Sequence, residues 1–270
     1  MYEDFFGLRE PPFHITPNPA YLYLSPQHEE ALQHLRYGIA SRKGFIVLTG
    51  EVGCGKTTLS RTLLNELESA DCDTVLILNT RISEAQLIRL IIQDLGYRSE
   101  AQGKADLVTD LNAVLLEKIQ HGRQIVVIID EAQNLTFEVL EQLRLLSNLE
   151  ADDQKLMQIV LLGQPELRER LRERRLRQFR QRVLVHYDLT PLRLPQTAAY
   201  IHHRLQRAGG RGAPLFTPFA LRYLHWRSGG IPRLINHLAD KSLLAAFVRD
   251  RPIVSLREVR RAWRETRDFI

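Results

Sequence analysis

The chain has 270 residues, enough for one or two domains with a sizeable core, and its 44% apolar and 26% charged residues are the balance of a soluble globular protein. No apolar run approaches the roughly 18–20 residues that a membrane-spanning helix needs, which excludes an integral helical membrane class for this stretch. The net charge of +5 hides a division: residues 1–164 carry 14 Lys/Arg against 23 Asp/Glu, whereas residues 165–270 carry 23 against 9. Such a split implies two parts that face different partners, or different sides of one interface.

The opening MYEDFF is acidic, without the positive start of a secretory signal. Cys54 and Cys72 have neither zinc-like nor redox-like spacing, so the expectation is a reduced, cytoplasmic protein. Residues 1–24 are rich in aromatics and prolines (Phe5-Phe6, Pro11-Pro12-Phe13, Pro17-Asn18-Pro19, Tyr21, Tyr23), poor helix material that predicts an extended arm laid over a core. Ser25-Pro26 reads as N-cap and first residue of a helix running to about Ile39. Gln27 and His28, on its first turn, are candidates for one wall of an adenine pocket, with surface helix residues the alternative.

The stretch from Gly50 to Thr58 is the strongest chemical signal. It follows an apolar strand, Phe45 to Thr49, and precedes a helix-like segment, Leu59 to Leu67. Within it Gly50, Glu51, Val52, Gly53, Cys54, Gly55, Lys56, Thr57 and Thr58 fit the G-x-x-x-x-G-K-T spacing of a phosphate-binding loop. Glycines let successive N–H groups turn toward a phosphate, and the following helix N-terminus adds its dipole. Lys56 would reach the β- and γ-phosphates, and Thr57 would ligate Mg²⁺. These residues predict a bound nucleoside triphosphate with Mg²⁺ as cofactor. Cys54, inside the loop, reads as a small filler residue.

A second buried strand follows at Thr74 to Asn79, then helices at Ser83 to Leu95 and Leu107 to Ile119 with a polar loop over 97–106. Ile125 to Ile129 are all β-branched and predict a central parallel strand, with Asp130 and Glu131 at its C-terminal end, where α/β sheets place their chemistry. Asp130 would hold the Mg²⁺ shell and Glu131 would polarise the attacking water. Ala132 to Leu149 reads as one helix and Gln158 to Gln164 as another buried strand. Eight arginines fall within 166–182, on a helix whose arginines cannot all share one face. A salt-bridged solvated helix, an arginine finger for a neighbouring subunit and a phosphate-backbone patch are the three readings. Val183 to Tyr187 predicts the last strand. Beyond Pro195 the pattern turns helical, over 197–208, 217–227, 232–248 and 255–266, broken by Gly209-Gly210-Arg211-Gly212, Gly229-Gly230 and Asp250-Arg251-Pro252. The expected architecture is a P-loop nucleotide-binding α/β domain over 1–190, built on a doubly wound parallel sheet, followed by a small all-helical lid domain over 191–270.

With these pieces in place, the chain resembles the AAA+ ATPases. More narrowly it is similar to the family of general secretion pathway protein A (ExeA) and the MSHA pilus biogenesis protein MshM. The resemblance rests on YEDFFGLREPPF, PNPAYLYLSPQHEEAL, GEVGCGKTTL, IIDEAQNL, LLGQPEL, QFRQRV and GGIPRLIN and covers essentially the whole chain. It implies sensor 1 at Gln164, sensor 2 at Arg233, and an arginine finger at Arg182, with Arg180 second. It implies a homo-oligomer, a ring in many relatives, working with pilus or secretion assembly proteins at the inner membrane. ExeA-type members continue into a membrane span and a periplasmic peptidoglycan-binding part; these 270 residues hold neither, which is expected either of MshM-like length or of a longer chain cut before the span. A DNA-associated AAA+ ATPase, similar to transposition or helicase-loading helpers, is the alternative function.

Overall fold

The computed structural model describes residues 1–14, 21–42, 44–68, 71–151, 154–210 and 215–267. The expectations for Pro17-Asn18-Pro19 and for Arg211-Gly212 lie outside the described residues. The chain forms two compact units. One comprises residues 27–50 and 56–189; the other comprises 1–26, 51–55 and 190–270.

The first unit is an α/β sheet unit. The five strands of its main sheet are β1 (Phe45–Gly50), β2 (Cys72–Ile77), β3 (Gln124–Ile129), β4 (Gln158–Gly163) and β5 (Val183–Leu189). All pair in parallel in the order β2-β3-β4-β1-β5. Every residue of β1 and β4 is buried, as the continuous apolar runs require of strands covered on both faces. The centre of the sheet is therefore β4, and β3 lies one place off it. β5 closes an edge, and its sequence alternates accordingly, with Val185 and Leu189 buried and Leu184 exposed. The connecting helices are α2 (Pro26–Ala40), α3 (Lys56–Glu68), α4 (Glu84–Asp94), α5 (Lys104–Gln120) and α6 (Phe137–Leu146). Leu87, Ile88, Ile91 and Ile92 of α4, at helical spacing, are fully sealed in the core beside Leu107, Leu111 and Leu115 of α5. Truncating any one of them to alanine costs about 2–5 kcal/mol, the usual scale for a cavity in a packed core.

Three expectations change at this level. The second strand starts two residues earlier and ends at Ile77, leaving Leu78 60% exposed. The helix expected over 132–149 is interrupted: Ala132–Asn134 form a single 3₁₀ turn, and α6 begins only at Phe137. The cause is local, because the Thr136 hydroxyl accepts the Val139 N–H and restarts the helix as its N-cap. The arginine-rich run is likewise not one helix. It breaks into α7 (Pro165–Leu171), a 3₁₀ turn (Arg174–Leu176) and a one-turn α8 (Arg177–Arg180). The breaks let Leu167, Leu171, Leu176 and Phe179 all reach the core, with Phe179 stacked on Phe45 at 4.2 Å between ring centroids.

The second unit is helical, with α9 (Leu194–Arg207), α10 (Pro218–Ser228), α11 (Pro232–Phe247) and α12 (Leu256–Thr266). All but α12 begin with proline in the first turn, where its missing N–H costs nothing. The N-terminal arm packs in this unit, not in the sheet unit with which it was expected to group. It also opens with a helix, α1 (Tyr2–Phe6), closed by Gly7 in the left-handed region. Tyr2, Phe6, Leu8, Phe13 and Tyr21 share one core with Tyr200, Leu238 and Leu243. Burial explains the arm's aromatic content: Arg204, itself 6% exposed, donates to the Pro12 carbonyl at 2.7 Å and lies 5.0 Å from the Tyr21 ring centroid.

Candidate nucleotide site

The strand order brings the C-terminal ends of β3, β4 and β1 side by side, so Asp130, Glu131, Gln164 and Gly50 emerge at one sheet edge. Lys56 is buried at the start of α3 and its ammonium donates to the Gly50 carbonyl at 2.7 Å. The next residue, Thr57, donates from its hydroxyl to Asp130 Oδ2 at 2.9 Å, across 73 residues of sequence. Asp130 is 4% exposed, and its Oδ1 accepts the Glu131 N–H at 2.9 Å. Hydroxyl and carboxylate oxygens held this way are the hard donors that Mg²⁺ takes, with phosphate and water oxygens completing its shell. Among the described residues no group of three or more His, Cys, Asp or Glu is placed to hold a metal ion.

Glu131 sits in the left-handed region, φ 53° and ψ 36°, a conformation that costs free energy for a residue other than glycine. Its carboxylate is clamped from two sides. Gln133 donates to Oε2 at 2.5 Å and Gln164 donates to the same oxygen at 3.1 Å. Gln133 also accepts the Gln164 N–H at 3.0 Å, so one amide fixes both the carboxylate and the end of β4. Thr80, at the end of the β2 connection, donates to the Glu131 carbonyl at 3.2 Å. Neither Gln133 nor Thr80 stands out in the sequence.

The middle of the phosphate loop, 51–55, groups with the helical unit. Gly53 and Gly55 take φ 81° and 105°, and the Gly53 carbonyl accepts the Arg233 N–H at 3.3 Å. A side chain at Gly53 would meet Arg233 Cβ at 2.6 Å, so glycine is required there for close approach as well as for its torsion. Cys54 is buried, as a filler residue should be, while Glu51 and Val52 are exposed and Thr58 is half-buried. His28 is buried and Gln27 half-buried on the first turn of α2.

The arginines divide by the contacts they make. Arg182 donates from Nη1 to the Arg144 carbonyl and the Ser147 hydroxyl, both at 3.1 Å, and to Asn148 Oδ1. Its guanidinium caps the C-terminal end of α6, a structural contact within the chain that stands beside the finger role expected of it. Arg180 is exposed and makes a single 3.2 Å bond to the Arg172 carbonyl. Arg168 pairs with Asp188 at 2.5 Å, and Thr49 donates to the other oxygen of the same carboxylate. Burial pushes the Asp188 carboxyl up, but the Thr49 and Arg168 hydrogen bonds and the neighbouring His186 outweigh it and hold it below the ordinary aspartate range.

Residues 39–171 match the family described as an AAA domain. The chain is 51% identical over 253 residues to general secretion pathway protein A of Aeromonas hydrophila, covering 92% of this chain. The match spans 45% of that relative's length. Among solved structures, the fold is shared with the Cdc6p of Pyrobaculum aerophilum (TM-score 0.69, 18% identity, 93% of this chain and 71% of that one). It is shared too with the Aeropyrum pernix ORC1 protein in complex with DNA (0.66, 17%, 93% and 68%). The Thermotoga maritima RuvB Holliday junction branch migration motor is a third (0.60, 16%, 91% and 73%). At these identities the likeness concerns the fold: a P-loop AAA+ parallel sheet followed by a helical region. Among the described residues no helix is long and apolar enough to cross a membrane.

Proposed function

We propose that this chain is a Mg²⁺-dependent ATPase that drives or gates assembly of a bacterial envelope machine, a type II secretion apparatus or an MSHA-type pilus. The observation that carries the ATPase reading is the meeting of Thr57 with Asp130 at 2.9 Å, beside a Glu131 carboxylate fixed by two amides. In this reading the loop N–H groups of 51–58 and Lys56 bind the phosphates, and Thr57 and Asp130 hold Mg²⁺. The cation, when bound, supplies charge neutralisation for the phosphoryl group being transferred. Glu131 takes the proton of the attacking water through its carboxylate, and Gln164 and Gln133 orient that carboxylate. Gln27 and His28 are assigned to the adenine wall and Arg233 to the γ-phosphate as sensor 2. Arg180, the more exposed of the two candidates, is assigned as the finger toward a neighbouring subunit of a homo-oligomer. The 51% identity to general secretion pathway protein A supports the envelope partner, and a cytoplasmic position against the inner membrane through that partner belongs to the same proposal.

Two variants test the ATPase reading. Lys56→Ala should largely abolish binding of an ATP analogue in isothermal titration, because a phosphate charge loses its ammonium partner. Glu131→Gln should retain that binding while turnover falls by about 10²-fold or more, the scale of a lost general base. Wild-type affinity in the first, or wild-type phosphate release in the second, would remove the assignment.

A further inference from the structure

Outside the nucleotide site, α10 and α12 of the helical unit frame an open cleft of about 390 Å³ lined by Tyr223, Trp226, Arg227, Arg260, Trp263 and Arg264. Its chemistry is unusual. The Arg227 guanidinium lies 3.9 Å from the Trp226 ring centroid, 5.0 Å from that of Trp263 and 5.1 Å from that of Tyr223, and its Nε donates to the Tyr223 hydroxyl at 3.0 Å. Arg260 lies 5.6 Å from the same Tyr223 ring. A guanidinium stacked on a ring keeps its plane fixed and its N–H edges available for an oxyanion.

α10 carries no acidic residue, and α12 carries only Glu258 and Glu265. Glu258 bonds Ser255 and faces Arg249, while Glu265 pairs with Arg261. Among the described residues no ion pair engages Arg227, Arg260 or Arg264. Arg260 and Arg264 are one helical turn apart, about 6 Å along the axis, close to the rise of two stacked nucleotides at about 3.4 Å each. Beside them Trp226 is 64% exposed, an indole face presented to solvent at the mouth of a cationic cleft.

We infer that this cleft binds a single-stranded nucleic acid segment, with phosphates on the Arg227, Arg260 and Arg264 edges and an unstacked base on Trp226. An acidic peptide would satisfy the guanidinium groups but would leave the exposed indole without a role. A duplex, its bases already stacked, would offer Trp226 no ring. Alternating cation and aromatic ring is the pattern that single strands select, since every base has a π-face. The inference is independent of ATP turnover.

The sequence supplies its own probe, because its two tryptophans, Trp226 and Trp263, both line the cleft. Titration of the full chain with a fluorescein-labelled thymidine 20-mer at about 50 mM salt should quench tryptophan emission and raise anisotropy together. Log affinity should fall with log salt at a slope of about −2, near −0.7 for each of three phosphates. Trp226→Ala and Arg264→Ala, both at exposed positions, should each weaken binding by about tenfold, within the range that stacking on one ring contributes. Absence of quenching in the wild-type chain would overturn the proposal. So would equal quenching by polyglutamate, which would make the partner an acidic polypeptide, or equal affinity for a 20-base-pair duplex, which would mean that no base stacks.

Discussion

At the scale of single residues the site turns on how one carboxylate is aimed. Glu131 could be read from the sequence because an acidic pair after a β-branched run is a local pattern. Gln133 could not, because its importance comes from a hydrogen bond back to Glu131 and another to Gln164, 31 residues away. The left-handed torsion at Glu131 is what brings Gln133 under the carboxylate, and no composition rule predicts a strained glutamate. Gln133→Ala should therefore lower kcat by about tenfold, a fraction of the 10²–10⁴ that a general base contributes, with KM for ATP nearly unchanged. If Gln133 acts through Glu131, adding it to Glu131→Gln should slow turnover no further. Steady-state phosphate release from the two single variants and the double variant decides this, since independent roles would multiply.

At the scale of elements, sequence periodicity located the strands and most helices, because continuous apolar runs and i,i+3/i+4 stripes report burial directly. It erred where a tertiary contact overrode the local pattern. The 132–149 helix broke because Thr136 caps a new start, and the arginine run broke because four apolar residues had to reach one core. In the same region the Arg182 side chain closes α6 by donating to the Arg144 carbonyl and the Ser147 hydroxyl. Arg182→Ala should lower stability by about 1–2 kcal/mol, below the full value of a charge-assisted bond because the group is only half-buried. A Tm shift of roughly 2–6 °C by calorimetry would match that loss. Asp188 ties β5 to β1 and α7, and its sign with pH is fixed by its lowered titration. A carboxyl whose folded value lies below the unfolded one, about 3.9, stabilises the fold above that value and loses the contribution as pH falls through the folded value. The Tm gap between wild type and Asp188→Asn should accordingly be steady near pH 7 and close below about pH 4. A gap that widens in acid would show that the Asp188 interactions are not charge-dependent.

At the scale of the whole molecule the proposed activity turns on whether one chain suffices. Residues 1–164 are net acidic and residues 165–270 net basic, a complementarity that suits self-association, and head-to-tail contacts close into rings when the rotation permits. Arg180 is exposed at the end of a one-turn helix with a single carbonyl partner, so its guanidinium can turn to a neighbour at little cost. Delivered to a γ-phosphate on an adjacent subunit, an arginine stabilises the charge developing in the transition state, worth about 10³–10⁵-fold in related chemistry. Specific ATPase activity should then rise with protein concentration as subunits meet. Arg180→Ala should lose that rise while binding ATP normally, whereas Arg182→Ala should keep it wherever the fold is intact. Mixing Arg180→Ala with Lys56→Ala should restore part of the activity, because the second variant contributes its finger to the intact nucleotide site of the first. Phosphate release measured across a dilution series of each protein and of the mixture reads all three outcomes. Activity per subunit that stays flat on dilution, with no rescue on mixing, would place every catalytic group within one chain.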